Sequence, residues 1–315
     1  MSAITSQNAA SAIVKLVAAQ ALPPLVGNLV MGNLVNRDFE PTLAANGDTV
    51  NIPIPPKLVA NNIAEAGTVQ PQNPSLGNAQ IVINSHREAT FTIPDVTKIL
   101  AVPDLLKTYM EPGVIALAEQ IDTDLLAQYP LFTQNAAVGG AASLTEAVLD
   151  SAETVLFTAK VPASASKWLV CSAAAYSELR QLPRFTEYQT IGPDVARALG
   201  MSPMVTGALP GAGGMQNSTG KLKDFFIFRS QFVPNVAGTY QNLAGSKDAI
   251  GLVMRRLPMP LPGTGAIAQY VELGGYGFRV VMSYQPNTLA QQFTIDCLYG
   301  VGVLRGNFGV VVNNN

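Results

Sequence analysis

Apolar residues recur at three-to-four spacing across residues 111–129, EPGVIALAEQIDTDLLAQY. Val114, Leu117, Ala118, Ile121, Leu125 and Tyr129 therefore share one helical face, and Glu119, Asp122, Thr123 and Gln128 are expected opposite them. Pro112 suits a first helical position and Pro130 a stop. About eighteen residues predict a rod of roughly 27 Å. Period-two patterns flank it on both sides. Val50, Ile52 and Ile54 alternate in TVNIPIPP, where Pro53 implies an edge strand or bulge. Ile81, Ile83, Ala89, Phe91 and Ile93 mark a strand-like run over residues 79–93. Phe293, Ile295, Cys297, Tyr299, Val301 and Val303 share one face of a long strand near the end, preceded by another in GYGFRVVMSY. A lone long helix among strands reads as a brace across a sheet.

Other elements follow in order. A short helix is expected over residues 8–22, ended by Pro23 and Pro24. LVGNLVMGNLVNRDFEPTL reads as strand and turn, and Asn46-Gly47-Asp48 as a turn. PDVTKILAVPDLLKTYM is a helical approach to the long helix. Ser143 and Glu146 form a capping box before a helix carrying Leu144, Val148, Ala152, Val155 and Ala159. Residues 167–171 are a short buried strand, and Ser172 caps a helix that ends at Pro183. A glycine-rich region follows, then strands in KDFFIFRSQFVP and AIGLVMRR. The outline is two mixed α+β units, with the chain leaving the first, building the second and returning.

One stretch breaks the pattern. Residues 57–78, KLVANNIAEAGTVQPQNPSLGN, hold few large apolar residues and many Asn, Gln, Gly and Pro, yet they separate two strand-like runs. Such a segment cannot pack a core of its own. Compact domains rarely keep irregular loops beyond about 12–15 residues unless they have a use. The reading is a long β-hairpin arm that projects from the body and touches another molecule.

Composition sharpens that reading. The chain of 315 residues is 48% hydrophobic and only 13% charged, against about 25% charged in ordinary globular proteins. A surface so poor in charge suits a subunit covered by copies of itself. The net charge of −2 provides no basic field for nucleic acid. Cys171 and Cys297, both in apolar runs, read as buried reduced thiols, and two cysteines with one histidine cannot build a zinc set. The first residues lack a positive stretch before their apolar part and carry Lys15 within it, which argues against a signal peptide. No apolar run reaches the ~20 residues of a membrane span. The expectation is a protein made and kept in a cytoplasm, without a membrane partner.

Candidate chemistry does not assemble. His86 and Ser85 point to opposite faces of a strand, so no nucleophile–base pair forms there. Ser218-Thr219-Gly220-Lys221 lacks the first glycine and the closing hydroxyl of a phosphate loop, since Met215 and Leu222 stand in those places. Gly300, Gly302, Gly306 and Gly309 lack dinucleotide spacing. Asp122 and Asp124 diverge on a helix. Asn217-Ser218-Thr219 matches a glycosylation acceptor that matters only on secretion, and Arg255-Arg256 is too short for a patch. The reading is not an enzyme, with no catalytic, cofactor or metal residues.

The order of these segments resembles the major capsid proteins of tailed bacteriophages, and among them the coat-protein group of short-tailed phages. LVNRDFEPTLAANGDTVNIPIPP is similar to that group's opening "LVNRDYE…GDTVNIPTPG". KDFFIFRSQFVP resembles its "GFDVYRSNNL" strand, AIGLVMRRLPMP the strand after it, and GFRVVMSYQPNTLAQQFTIDCLYGVGVLR its closing "R…YD…IDVLYGV" strands. The resemblance implies an α+β tailed-phage capsid fold. Residues 1–45 would be the N-terminal arm, 46–95 the extended β-hairpin loop with its flanking strands, 96–142 the peripheral domain with a long spine helix, 143–265 the axial domain, and 266–315 the returning strands of the peripheral domain. It implies self-assembly as hexamers and pentamers into an icosahedral shell around a viral double-stranded DNA genome, with DNA touched only weakly and non-specifically.

Portal and scaffolding proteins are the implied partners, with room for a decoration protein. The implied places are the host cytoplasm during assembly and then the virion, with procapsid maturation between them. Lys57, Asn61, Glu65, Gln70, Gln72, Asn73 and Lys15 are the candidate inter-subunit contacts, and the arm with Lys15 is one candidate DNA-facing surface. Some relatives carry an inserted axial domain, for which this chain has little room. Some cross-link lysine to asparagine; Lys57 and Asn307 would be the candidates here, but no recognisable site surrounds them. The alternative is an encapsulin-type nanocompartment shell around enzyme cargo.

Overall fold

The computed structural model describes residues 30–39, 49–56, 58–63, 65, 67–69, 71–95, 105–136, 143–162, 164–182, 220–261, 265–273 and 276–314. The helix expected over residues 8–22, the turn at Asn46-Gly47-Asp48 and the glycine-rich region after Pro183 lie outside these residues.

Thirteen strands form three sheets among the described residues. β1 (Thr49–Ile54) and β2 (Gly77–Val82) pair antiparallel as a two-stranded hairpin, Thr49 facing Val82 and Ile54 facing Gly77. Pro53 lies on β1, where a missing N–H is tolerated because β1 has one partner only. The second sheet takes the order β10 (Ile267–Leu273), β11 (Tyr276–Gln285), β12 (Ala290–Val303), β3 (Ser85–Pro94), with β9 (Ile250–Arg255) pairing the far half of β12. The run over residues 79–93 thus splits at Ile83-Asn84, and its halves serve two different sheets.

The third sheet has the order β13 (Gly309–Asn314), β8 (Thr239–Ser246), β4 (Lys167–Cys171), β6 (Phe225–Arg229), β5 (Gly220–Leu222), with β7 (Asn235–Val236) beside β8. β4 and β6 run parallel, and every residue of β4 is buried. β12 therefore returns to the sheet of β3, whereas β13 crosses into the sheet of β4. The chain alternates between the two units more than its sequence suggests.

The long helix, α1, spans Leu105–Leu126. It starts earlier than its sequence pattern predicts, and Pro112 lies inside it rather than at its first turn. Tertiary packing outweighs the hydrogen bond that proline cannot donate. Val114, Leu117, Ala118, Ile121 and Leu125 are buried, as the periodicity predicts. They rest on the face of the second sheet that carries Ala89, Ile295, Cys297 and Tyr299. Asp122, expected on the polar side, is also buried. Its carboxylate accepts the backbone N–H groups of Val30 and Gly32 at 2.7 and 3.1 Å. These are the N-cap and a member of a 3-10 turn, Met31–Asn33, in the stretch where strand and turn were expected. Asn36 then continues the chain along β9, donating its N–H to the Ile250 carbonyl at 2.9 Å.

α2 (Glu146–Thr158) buries Leu149, Ala152 and Leu156. The capping box does not form: Thr145 is the N-cap, without a side-chain bond. Leu144 precedes the helix and donates its N–H to Glu178 Oε2 at 2.5 Å instead. α3 (Ala173–Gln181) is capped as its sequence predicts, Ser172 Oγ accepting from the Ala175 N–H at 3.2 Å.

Asn242 joins β8 to Ser172 and to β13. Its Oδ1 accepts the Ser172 N–H at 2.8 Å, and its Nδ2 donates to the Val312 carbonyl at 3.0 Å and Asn314 Oδ1 at 2.9 Å. Asn314 in turn donates to Glu178 at 3.4 Å. Asn242 is fully buried, so its removal takes a bond from one donor and two acceptors that lie away from water. Asn242→Ala is expected to lower stability by roughly 3 kcal/mol. Urea unfolding of the unassembled subunit reads this directly; a loss below about 1 kcal/mol would mean the site fills with water.

Candidate assembly surface

The hairpin of β1 and β2 carries the long connection between them, residues 55–76. Its described residues form no helix or strand and are exposed apart from partly buried Pro56. Leu58, Val59, Ile63, Val69 and Leu76 project large aliphatic side chains with half to nearly three-quarters of their area in solvent. Exposed apolar residues scattered singly mean little, but five on one loop make it a candidate interaction surface. Each is worth roughly 1.5–3 kcal/mol on full burial. Even half of that from five side chains amounts to about 5 kcal/mol, enough to hold a neighbour once several such contacts act together.

Among the sequence candidates, Asn61, Glu65, Gln72 and Asn73 lie exposed on this arm. Lys15, Lys57 and Gln70 lie outside the described residues. Gln72 is engaged within the chain: its side-chain amide accepts the Val59 N–H at 3.0 Å and donates to the Val59 carbonyl. The pairing imitates a step of a β-ladder and ties the outgoing and returning halves of the arm. The aliphatic residues are the ones sequence reasoning passed over. Their signal was present, since five aliphatic side chains in a segment too polar to pack a core have nowhere to go within the same chain.

The arm's base packs on the body. Val50, Ile52, Ala79, Ile81, Ile83, Val253 and Leu304 form a small apolar cluster distinct from the main core. β2 crosses directly over β12 and β9, and the crossing is possible because three residues beneath it are glycines. A Cβ on Gly300 would lie 2.5 Å from the Val82 carbonyl oxygen, and one on Gly251 would lie 2.7 Å from Ile81 Cδ1. A Cβ on Gly302 would lie 3.1 Å from Ile81 Cγ1 and 3.2 Å from the Gln80 carbonyl oxygen. These glycines thus seat a strand and form no nucleotide loop.

Polar groups of the braced sheet are likewise structural. Asp296 is buried and receives Arg279 through Nε at 3.1 Å and Nη2 at 2.5 Å, with His86 Nε2 also 3.1 Å away. The bidentate guanidinium compensates the buried carboxylate. Asp124 accepts from Tyr299 Oη at 2.6 Å and Arg87 Nη2 at 3.0 Å. Burial and this bond to Asp124 push the Tyr299 hydroxyl far above its usual range. Asp122 and Asp124 do diverge, one toward the 3-10 turn and the other toward β3 and β12. Burial pushes the thiols of Cys171 and Cys297 up to about 12, so both stay protonated and unreactive. Among the described residues no three or more His, Cys, Asp and Glu side chains converge as metal ligands, and no helix is long and apolar enough to cross a membrane.

Neither the protein-family models nor the curated proteins compared with the chain match it. Solved structures do. One from Mycobacterium phage Che8 superposes with a TM-score of 0.61 at 19% identity, over 90% of each chain. The capsid structure of cyanophage P-SCSP1u matches with a TM-score of 0.56 at 15% identity, over 91% of this chain and 88% of that one. The mature capsid of bacteriophage PhiM1 gives 0.52 at 12% identity, over 84% and 82%. Agreement along nearly the whole length at such low identity is agreement of fold: the chain has the α+β capsid fold of tailed bacteriophages.

Proposed function

We propose that this chain is a structural major capsid protein that assembles with copies of itself into an icosahedral shell around a viral double-stranded DNA genome. The observation that carries the proposal is the arm, whose aliphatic side chains none of the described residues covers, on a fold shared with solved phage capsids. The role is non-enzymatic, and the work is done by contact surfaces. The sheet braced by α1 acts as the peripheral unit, the sheet built on β4 as the axial unit, and residues 55–76 as the loop that overlaps a neighbour. Asn61, Glu65 and Asn73 flank the aliphatic contacts as a polar rim, with Lys57, Gln70 and Lys15 as further contacts. Each contact is weak alone and becomes effectively intramolecular as the shell closes. Weak single contacts also let misplaced subunits leave before they are trapped. Portal and scaffolding proteins, and weakly held DNA, are the partners such a shell needs. The virion is its final location.

Negative-stain electron microscopy of the purified protein, expressed alone and with its neighbouring genes, tests the proposal. Closed shells tens of nanometres across are expected. Small soluble particles under both conditions, together with turnover of a substrate, would overturn it.

A further inference from the structure

We infer that Asp122 is a latch that holds the root of the N-terminal segment on α1, and that the latch loosens when its carboxyl ionises. The geometry carries the inference. Asp122 is 1% exposed, in the middle of the core-facing side of α1. Its oxygens accept the N–H groups of Val30 and Gly32 at 2.7 and 3.1 Å, and the Met31 N–H also stabilises the charged form. Successive N–H groups in a tight turn form an anion-binding nest. Met31, Leu34 and Val35 complete the contact with buried apolar surface.

The charged and titratable groups around it are engaged elsewhere. On α1, Asp124 pairs with Arg87 and Tyr299, and Glu119 is exposed. On the N-terminal segment, Arg37 stacks 3.7 Å from the Tyr276 ring centroid and Asp38 pairs with Lys247. On β3 the facing cation is Arg87, on β12 the facing groups are Tyr299 and protonated Cys297, and on β11 Tyr276 donates its hydroxyl to Asn33.

Two effects then oppose each other. Burial penalises the charged carboxylate, and the N–H donors favour it. Burial wins: it is the largest influence, and the group is pushed up from 3.8 to about 6. With the N-terminal root undocked, the same carboxyl meets water and keeps its ordinary range. A group whose docked pKa is raised favours docking fully below its free pKa, and that contribution is lost as pH rises through the docked value. The window therefore runs from about pH 4 to about pH 6, with a change in the docking equilibrium of roughly a hundredfold. The latch is tightest in acid, opposite to an ordinary paired carboxylate. The inference concerns one chain and does not rest on the shell reading.

Hydrogen exchange measured by mass spectrometry on the full-length protein tests it. Protection of residues 30–34 is followed between pH 4 and pH 7, corrected for the intrinsic pH dependence of amide exchange, with the buried strand β13 as internal reference. The expected result is a fall in protection of roughly a hundredfold relative to β13, flattened in Asp122→Asn, which keeps an acceptor but cannot ionise. A flat wild-type profile would overturn the inference, as would protection that rises with pH, because the N–H donors would then outweigh burial. An unchanged slope in Asp122→Asn would overturn it too, by assigning the effect to another group. If that variant does not fold, the wild-type profile decides alone.

Discussion

Replacing Gly300 with alanine is expected to unseat the hairpin arm from the body. The new Cβ would stand 2.5 Å from the Val82 carbonyl oxygen, 2.9 Å from the Val82 carbonyl carbon and 3.0 Å from the Ile83 Cα. All three are backbone atoms, so no side chain can rotate aside. Either β2 lifts from β12 or β12 bends away from β3 and β9, and both movements break the packing of Ile81 and Ile83. Overpacking of this kind costs about 3 kcal/mol, which corresponds to a fall in melting temperature of roughly 5–10 °C for a chain of this size. Limited proteolysis should show new cleavage within β2 at temperatures where β4 and α3 remain protected. Gly306→Ala is the matched comparison, since its Cβ meets only the Leu131 carbonyl oxygen at 3.3 Å. Equal melting temperatures for Gly300→Ala and the wild type would show that β2 does not cross there.

Removing the arm should do the reverse, leaving the subunit intact and ending assembly. The described residues of 60–76 contribute nothing to either apolar cluster, and β1 and β2 keep their pairing from Thr49 to Val82. Surface changes away from such clusters usually stay within about ±0.5 kcal/mol. The deletion is therefore expected to melt within about 2 °C of the wild type while closed shells disappear from electron micrographs. A milder variant, Leu58→Ser with Ile63→Ser and Val69→Ser, keeps the loop length and should lower shell yield at least tenfold. It removes several kcal/mol of available burial from every contact. If this variant still assembles at wild-type yield, the aliphatic residues are not the contact. If the deletion mutant purifies as an unfolded chain, the arm is part of the fold and the assignment of its role fails.

Much of this was legible along the chain, for identifiable reasons. The apolar face of α1 and the alternating face of β12 follow from periodicity, because each burial pattern repeats with the geometry of its own backbone. β4 and the Ser172 cap were readable because both are local. Misreadings arose where a distant partner decided the outcome. Pro112 reads as a helix start, yet the core extends the helix back to Leu105. Ser143 and Glu146 have the spacing of a capping box, but Leu144 is drawn away by Glu178, which lies far along the chain. Asp122 reads as solvent-facing because nothing nearby announces the turn at Met31 that it holds. Strands β8, β10 and β13 carry no clear alternation, since they are defined by the neighbours they pair with.

The candidate assembly surface divides the same way. Its place in the chain, a long polar connection between two strand-like runs, was legible, and so was the poverty of charge that suits a covered surface. The polar candidates were chosen by chemical type; exposure adds Leu58, Val59, Ile63, Val69 and Leu76 to them, and the structure bonds exposed Gln72 to Val59. Amino-acid order by itself determined the elements whose burial repeats with the period of helix or strand, together with the arm as a segment unable to fold on itself. Tertiary structure alone decided the crossing of β2 over Gly251, Gly300 and Gly302, the passage of β13 into the other sheet and the burial of Asp122. Each of these depends on atoms far apart in the chain, and local periodicity holds no information about which distant backbone will arrive.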